Sequence, residues 1–146
     1  MLLCDANVLL YAVNSDAPSH KAARSWLDGA LNDGETVAFP WAVLLAFLRL
    51  ATHPAVFPGP LSADTAIAQI REWLRQPSAT VAEPGTRHLE VLAALLGESG
   101  VAGNLVSDAH LAAIAIELDA ELVSFDRDFA RFAGLRWLVP GAPTGG

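Results

Sequence analysis

The chain has 146 residues, of which 53% are hydrophobic and 17% are charged, and its formal net charge is −7. This length fits one domain with a sizeable core, and the composition excludes an intrinsically disordered chain. The acidic balance excludes a broad basic surface that binds nucleic acid through many phosphates, and a single cysteine excludes an internal disulfide framework. The longest uncharged apolar run, 38–48, is shorter than the roughly 20 residues that a membrane span needs, and no secretory signal is visible, so a cytoplasmic protein is the default expectation.

Short apolar segments alternate with amphipathic segments along the chain, and turn residues separate them. The patterns predict strands at 2–4, 36–39, 79–82, 122–125 and 136–139, and helices at 20–31, 41–52, 62–76, 86–96 and 107–118. This alternation predicts an α/β fold with a mainly parallel central sheet of four to five short strands. We assign residues 1–140 to a single domain and residues 141–146 to a flexible tail.

The segment 41–52 is the most apolar of the predicted helices. Four large apolar side chains recur there at helical spacing and are expected to face the core, namely Trp41, Leu44, Leu45 and Leu48. On a neighbouring face, Ala46 and Arg49 lie three residues apart.

Three aspartates are predicted to share one edge of the sheet. Asp5 follows the strand 2–4, Asp126 follows the strand 122–125, and Asp108 lies in the first turn of a helix that leads back to the sheet. In a parallel sheet, strand carboxyl ends and the starts of such helices meet at the same edge. Each acid also has a simpler interpretation, as a residue that bonds its own turn or interacts with a helix dipole.

Three carboxylates at one edge would repel one another unless protons or cations neutralised them. Oxygen ligands without histidine or cysteine favour Mg²⁺ or Mn²⁺ over zinc. Such an ion, held by carboxylates, is suited to phosphodiester hydrolysis, because it activates water and neutralises charge on phosphorus.

Four segments, spread in order over nearly the whole chain, carry a family resemblance: LLCDANVLLYA, PWAVLLAFLRLATHP, NLVSDAHLAAIAIE and LVSFDRDFARF. With them the chain resembles the PIN-domain ribonucleases, specifically the VapC-type toxins of toxin–antitoxin pairs. The resemblance implies a PIN-like three-layer α/β/α sandwich and an Mg²⁺- or Mn²⁺-dependent endoribonuclease. It also implies a cognate antitoxin that blocks the site, and usually a homodimer.

The same resemblance assigns roles to individual residues. It implies that the catalytic and metal-binding acids are Asp5, Asp108 and Asp126, with Asp128 as an auxiliary metal ligand. Asn104 and Ser124 fall where polar neighbours of the site often occur. Arg49 is expected either to pair with these acids or to contact RNA phosphate.

One departure from the family pattern concerns the predicted helix 41–52. The family normally carries a glutamate three residues before the arginine, and this sequence has Ala46 there, while Arg49 is retained. The missing carboxylate predicts weaker metal binding and strongly reduced cleavage. Two origins fit, an engineered inactivating change and natural divergence, and the completeness of the remaining match favours the first.

Two alternatives to an RNA-cleaving enzyme remain open from the sequence. A phosphatase of the haloacid dehalogenase type would use Asp5 as its nucleophile, but Asn7 stands where that chemistry needs a second acid, and the only lysine, Lys21, lies in a predicted surface helix. A non-catalytic module that binds antitoxin or RNA without cutting is the second alternative, and Ala46 favours it.

Overall fold

The computed structural model of the chain describes residues 1–100 and 103–143. Within them the strands are β1 (Leu2–Cys4), β2 (Val37–Pro40), β3 (Ala79–Ala82), β4 (Glu121–Val123) and β5 (Trp137–Leu138). The α-helices are α1 (Ala6–Val13), α2 (His20–Asn32), α3 (Trp41–Ala51), α4 (Ala63–Arg75), α5 (His88–Ser99) and α6 (Val106–Glu117). Two short 3₁₀ helices, Gly103–Leu105 and Arg127–Arg131, precede α6 and follow β4.

The strands form one sheet in the order β3-β2-β1-β4-β5, and every neighbouring pair is parallel. This confirms the predicted α/β fold with its parallel sheet of short strands. The central strand, β1, pairs with β2 on one side and β4 on the other, and its Leu3 and Cys4 are completely buried. A strand covered by helices on both faces reads as an uninterrupted apolar run, which explains the opening of the sequence.

Helix α3 presents a different face to the core from the one that we expected. Trp41 is 49% exposed and Leu45 is 58% exposed, whereas Leu44 is buried as predicted. The side chains that α3 buries are those of Val43, Leu44, Phe47 and Ala51. Because α3 is apolar almost all round, its spacing could not show which apolar stripe faces inward.

The structure extends one predicted helix and leaves two short predicted segments partly undescribed. Helix α5 continues past Gly97 and ends before Gly100, whose φ of +66° is the left-handed conformation that glycine adopts readily at helix ends. Residues 101–102 of the predicted loop 98–104, and residues 144–146 of the predicted tail, lie outside the described residues. No helix in the described parts of the chain has the length and apolar character needed to cross a bilayer.

Candidate metal centre

The pairing of β1 with β4 brings two predicted site residues to the same edge of the sheet. Asp5 directly follows β1, and its backbone N–H donates to the carbonyl of Val123 at the end of β4 (3.0 Å). The Asp5 carboxylate also caps α1, since it accepts a hydrogen bond from the Ala6 N–H (2.7 Å). Asp126 opens the 3₁₀ helix after β4, and its carboxylate accepts from the Asp128 N–H (2.9 Å).

Three carboxylates converge at this edge. One oxygen from each of Asp108, Asp126 and Asp128 lies within 4.8 Å of the others. Asp108 comes from the first turn of α6, so residues far apart in the chain form this acidic cluster. Asp5 is not part of the three-oxygen set, but it lies close enough for its charge to act on Asp108.

The acids perturb one another. Burial, together with the negative charges of Asp126, Asp5 and Asp128, raises the pKa of Asp108 to about 6. Burial also raises the pKa of Asp5, an effect to which Asp126 adds and which hydrogen bonds from Ser124 and Ala6 oppose. A group of acids that resists ionisation in this way is stabilised by a bound cation.

A buried hydroxyl and an amide hold the acids in place. Ser124, which is completely buried, donates to Oδ2 of Asp5 (2.7 Å) and accepts from the Asp126 N–H (3.0 Å). The side-chain amide of Asn7 donates to Ser124 Oγ (3.0 Å), and its carbonyl accepts from the Phe125 N–H (3.2 Å). Ser124 was predicted to lie near the site, whereas Asn7 was not. The position of Asn7, two residues after Asp5, could have indicated that its amide lies close to the Asp5 carboxylate.

Removing the Ser124 hydroxyl tests this support. We expect Ser124→Ala to lower the free energy of unfolding by about 2 kcal/mol, because the part-buried Asp126 N–H loses its acceptor and the Asp5 carboxylate loses a donor. Urea denaturation measures the change, with Ser25→Ala on the exposed face of α2 as the control. A change within about 0.5 kcal/mol of the control would contradict a supporting role for this hydroxyl.

The remaining predicted residues lie on α3 and on the 3₁₀ helix that precedes α6. Ala46 is half-buried on α3, and Arg49 is exposed in the last turn of the same helix. Asn104 is exposed in the 3₁₀ helix that precedes α6. Arg131, which the sequence did not single out, pairs with Asp128 (Nε to Oδ1, 3.6 Å), so one base already faces the cluster.

The donor set fits a hard divalent cation. Asp108, Asp126 and Asp128 offer carboxylate oxygens only, and their separation is short enough for one ion to contact all three. Burial, and then the negative charges of the neighbouring acids, raise the pKa of Asp108, and a cation bound between these oxygens would oppose both effects. Residues able to hold a divalent metal are therefore assembled at the carboxyl edge of the sheet.

The family model for the PIN domain matches residues 2–135. The chain belongs to the PIN-domain family. Ribonuclease VapC37 of Mycobacterium tuberculosis is 51% identical to this PIN domain over 142 residues, which cover 97% of this chain and 99% of that protein. Ribonuclease VapC33 of the same species is 43% identical over 140 residues, covering 96% and 98% of the two chains.

Solved structures share the PIN fold at lower identity. The VapBC2 complex of Rickettsia felis bound to a promoter DNA fragment contains a chain that superposes with a TM-score of 0.71 at 17% identity, covering 95% of this chain and 98% of that one. VapC20 of Mycobacterium tuberculosis, a Sarcin-Ricin loop cleaving toxin, superposes with a TM-score of 0.66 at 16% identity, covering 93% and 99%. The predicted family and fold are thereby confirmed, and the haloacid dehalogenase alternative is set aside.

Proposed function

We propose that this PIN domain is an endoribonuclease toxin of the VapC type, which hydrolyses RNA phosphodiester bonds and is neutralised by a cognate antitoxin. The observation that carries the proposal is the acidic cluster of Asp108, Asp126 and Asp128 in a chain that matches ribonuclease VapC37 over almost its whole length. The Rickettsia felis toxin–antitoxin complex supports the antitoxin as a partner.

The metal that this donor set favours is Mg²⁺, or Mn²⁺ in its place. Asp108, Asp126 and Asp128 would hold it, and Asp5 would complete the negative wall of the site. When bound, the ion supplies an activated water and neutralises charge on the phosphate. Ser124 and Asn7 keep Asp5 oriented, while Arg49, which is exposed in the last turn of α3, would bind an RNA phosphate.

Further parts of the proposal concern the protein in the cell. We place it in the cytoplasm, as a homodimer whose two copies each carry one site. Residues 1–140 form the PIN domain, and the family match to residues 2–135 supports that boundary.

Ala46 makes the chain an impaired version of such an enzyme. An alanine contributes no oxygen ligand, so the site has one carboxylate fewer than the family pattern. This observation also favours a second function, a non-catalytic PIN module that binds antitoxin or RNA without cutting.

Cleavage assays on a structured RNA pool separate these functions. We expect the antitoxin-free Ala46→Glu form to cut RNA with Mg²⁺ and to stop when the metal is chelated. Adding Asp5→Asn to that form is expected to remove cleavage, with Asp16→Asn as an exposed control that leaves it unchanged. If the glutamate form does not cut RNA, the result supports the non-catalytic function. Cleavage that survives Asp5→Asn contradicts the assignment of Asp5 to the catalytic site.

A further inference from the structure

A second polar system, largely buried, links α6 to the start of α5. The Glu117 side chain is only 8% exposed, and its Oε2 lies 3.2 Å from Nδ1 of His88 and accepts from the Gly85 N–H (3.0 Å). The other ring nitrogen of His88 lies 2.9 Å from Nδ1 of His110. A buried carboxylate and two imidazoles thus form a continuous chain of hydrogen bonds, whose free end is Nε2 of His110.

Burying these hydrogen-bonded side chains carries a desolvation cost that they would not have at the protein surface. Oε1 of Glu117 has no hydrogen-bond partner within the described residues, and desolvating a carboxylate is unfavourable unless it is fully paired. Gly85 lies against the same carboxylate, because a Cβ there would stand 3.3 Å from Oε1. The arrangement fixes the orientation of the His110 ring, since its Nδ1 is engaged by His88.

The His110 ring lines an open cavity of about 310 Å³. Its walls come from the ends of β2 and β3, the start of α3 and the middle of α6, and the strand ends place it at the carboxyl edge of the sheet, where the acids also lie. Ala42 on its wall is one turn before Ala46, and His110 is two residues after Asp108. Trp41, which is 49% exposed, forms an aromatic wall, and Glu83 adds a second polar side chain.

We propose that this cavity binds one unstacked nucleobase of the RNA, with Trp41 as the stacking surface and Nε2 of His110 as a hydrogen-bonding group. The inference rests on the proposed ribonuclease function and adds to it a residue pair that determines specificity. Proteins that read single-stranded RNA stack bases on aromatic side chains and bond their edges with oriented polar groups. A concave site with few, fixed polar groups suits a base better than a flat protein partner.

Sequencing of cleavage products tests the proposal in the Ala46→Glu form. With a random-sequence RNA pool, we expect one position near the cut to show a base preference. Trp41→Ala is expected to flatten that preference, and His110→Phe to change the preferred base. Leu45→Ala, which removes a comparably exposed apolar side chain one turn along α3, is the matched control and is expected to retain the preference.

Binding to the unaltered chain provides a second test that does not depend on cleavage. Removing the preferred base, by an abasic substitution at that position, is expected to weaken RNA binding about 10-fold. If no cleavage pattern identifies the preferred position, each position of a short single-stranded oligonucleotide is made abasic in turn. Trp41→Ala is expected to weaken binding to intact RNA by a similar factor and to be insensitive to the abasic site, since both changes remove the same contact.

Three outcomes overturn the inference. The first is that no single abasic position weakens RNA binding to the unaltered chain. The second is that Trp41→Ala weakens binding to intact RNA and to abasic RNA equally. In the third, Trp41→Ala changes the oligomeric state in sedimentation and leaves base preference intact, which makes this surface an interface between copies. Failure of the Ala46→Glu form to cut RNA contradicts the proposed function instead. The abasic series, which measures binding, still tests whether the cavity binds a base.

Discussion

Replacing Ala46 with glutamate is expected to raise the rate of Mg²⁺-dependent RNA cleavage by at least about 100-fold. The acids that the fold already assembles supply three oxygens within 4.8 Å of one another, all from α6 and the segment after β4. Helix α3 begins directly at the carboxyl end of β2, which pairs with β1, so a carboxylate on its site-facing side would join the cluster from the opposite direction.

The length of the introduced side chain is decisive. Ala46 lies about one and a half turns into α3, and the helix runs away from the edge where the acids lie. Side chains on a helix lean toward its N-terminus, so a glutamate at this position points back toward that edge. An aspartate is one methylene shorter, and we therefore expect Ala46→Asp to recover much less activity than Ala46→Glu.

Ala46→Gln provides the matched control for charge. It has the size of glutamate without the negative charge, so it is expected to leave cleavage at the level of the starting chain. Rates are measured on one defined oligonucleotide over a range of Mg²⁺ concentrations. Equal recovery by glutamine and glutamate would show that side-chain volume, rather than a carboxylate, limits the unaltered protein.

The architecture was predictable because the parallel sheet imposes a simple rule on the sequence. The strands are short and apolar, and five of the six described α-helices, α2 to α6, were predicted from their apolar spacing and end signals. Helix α1 continues the opening apolar run and was not predicted as a helix. The same rule placed Asp5 and Asp126 at one edge, since β1 and β4 are parallel neighbours. A second exception was α3, where the exposed Trp41 and Leu45 looked like core residues because their neighbours are apolar as well.

Other parts of the site could not be predicted from local patterns. The Glu117, His88 and His110 contacts join residues 22 to 29 positions apart, with no periodicity that relates them. Whether Asp5 or Asp128 completes the three-oxygen set depends on the backbone path of the 3₁₀ helix after β4, which a sequence motif does not specify.

Substituting Asp108 by asparagine is expected to have opposite effects on activity and on stability. In the Ala46→Glu form, loss of a metal-binding carboxylate should reduce cleavage by at least about 100-fold. In the unaltered, metal-free chain, Asp108→Asn should raise the free energy of unfolding at pH 7.5 by about 1 kcal/mol. That figure follows from the pKa of about 6, discounted for the solvent that screens this partly exposed group.

The sign of the pH dependence follows from proton binding. The folded protein holds a proton on Asp108 up to about pH 6, whereas an unfolded chain releases it near pH 3.8, the ordinary pKa of an aspartate. The contribution of Asp108 to the stability of the metal-free protein is therefore lost as pH rises from about 4 to above 6. The advantage of Asp108→Asn should be largest at pH 7.5 and should vanish below about pH 3, where the aspartate is neutral in both the folded and the unfolded state.

Thermal unfolding across this pH range, with and without Mg²⁺, checks both effects. Mg²⁺ is expected to raise the melting temperature of the unaltered chain at pH 7.5 and to do so less as protons compete near pH 5. It should have little effect on Asp108→Asn. Asp64→Asn is the matched control, because Asp64 is an exposed acid in the first turn of α4, where removing the charge costs a favourable helix-dipole interaction. If both variants lower stability alike, Asp108 is an ordinary helix-start acid and the metal site loses its central ligand.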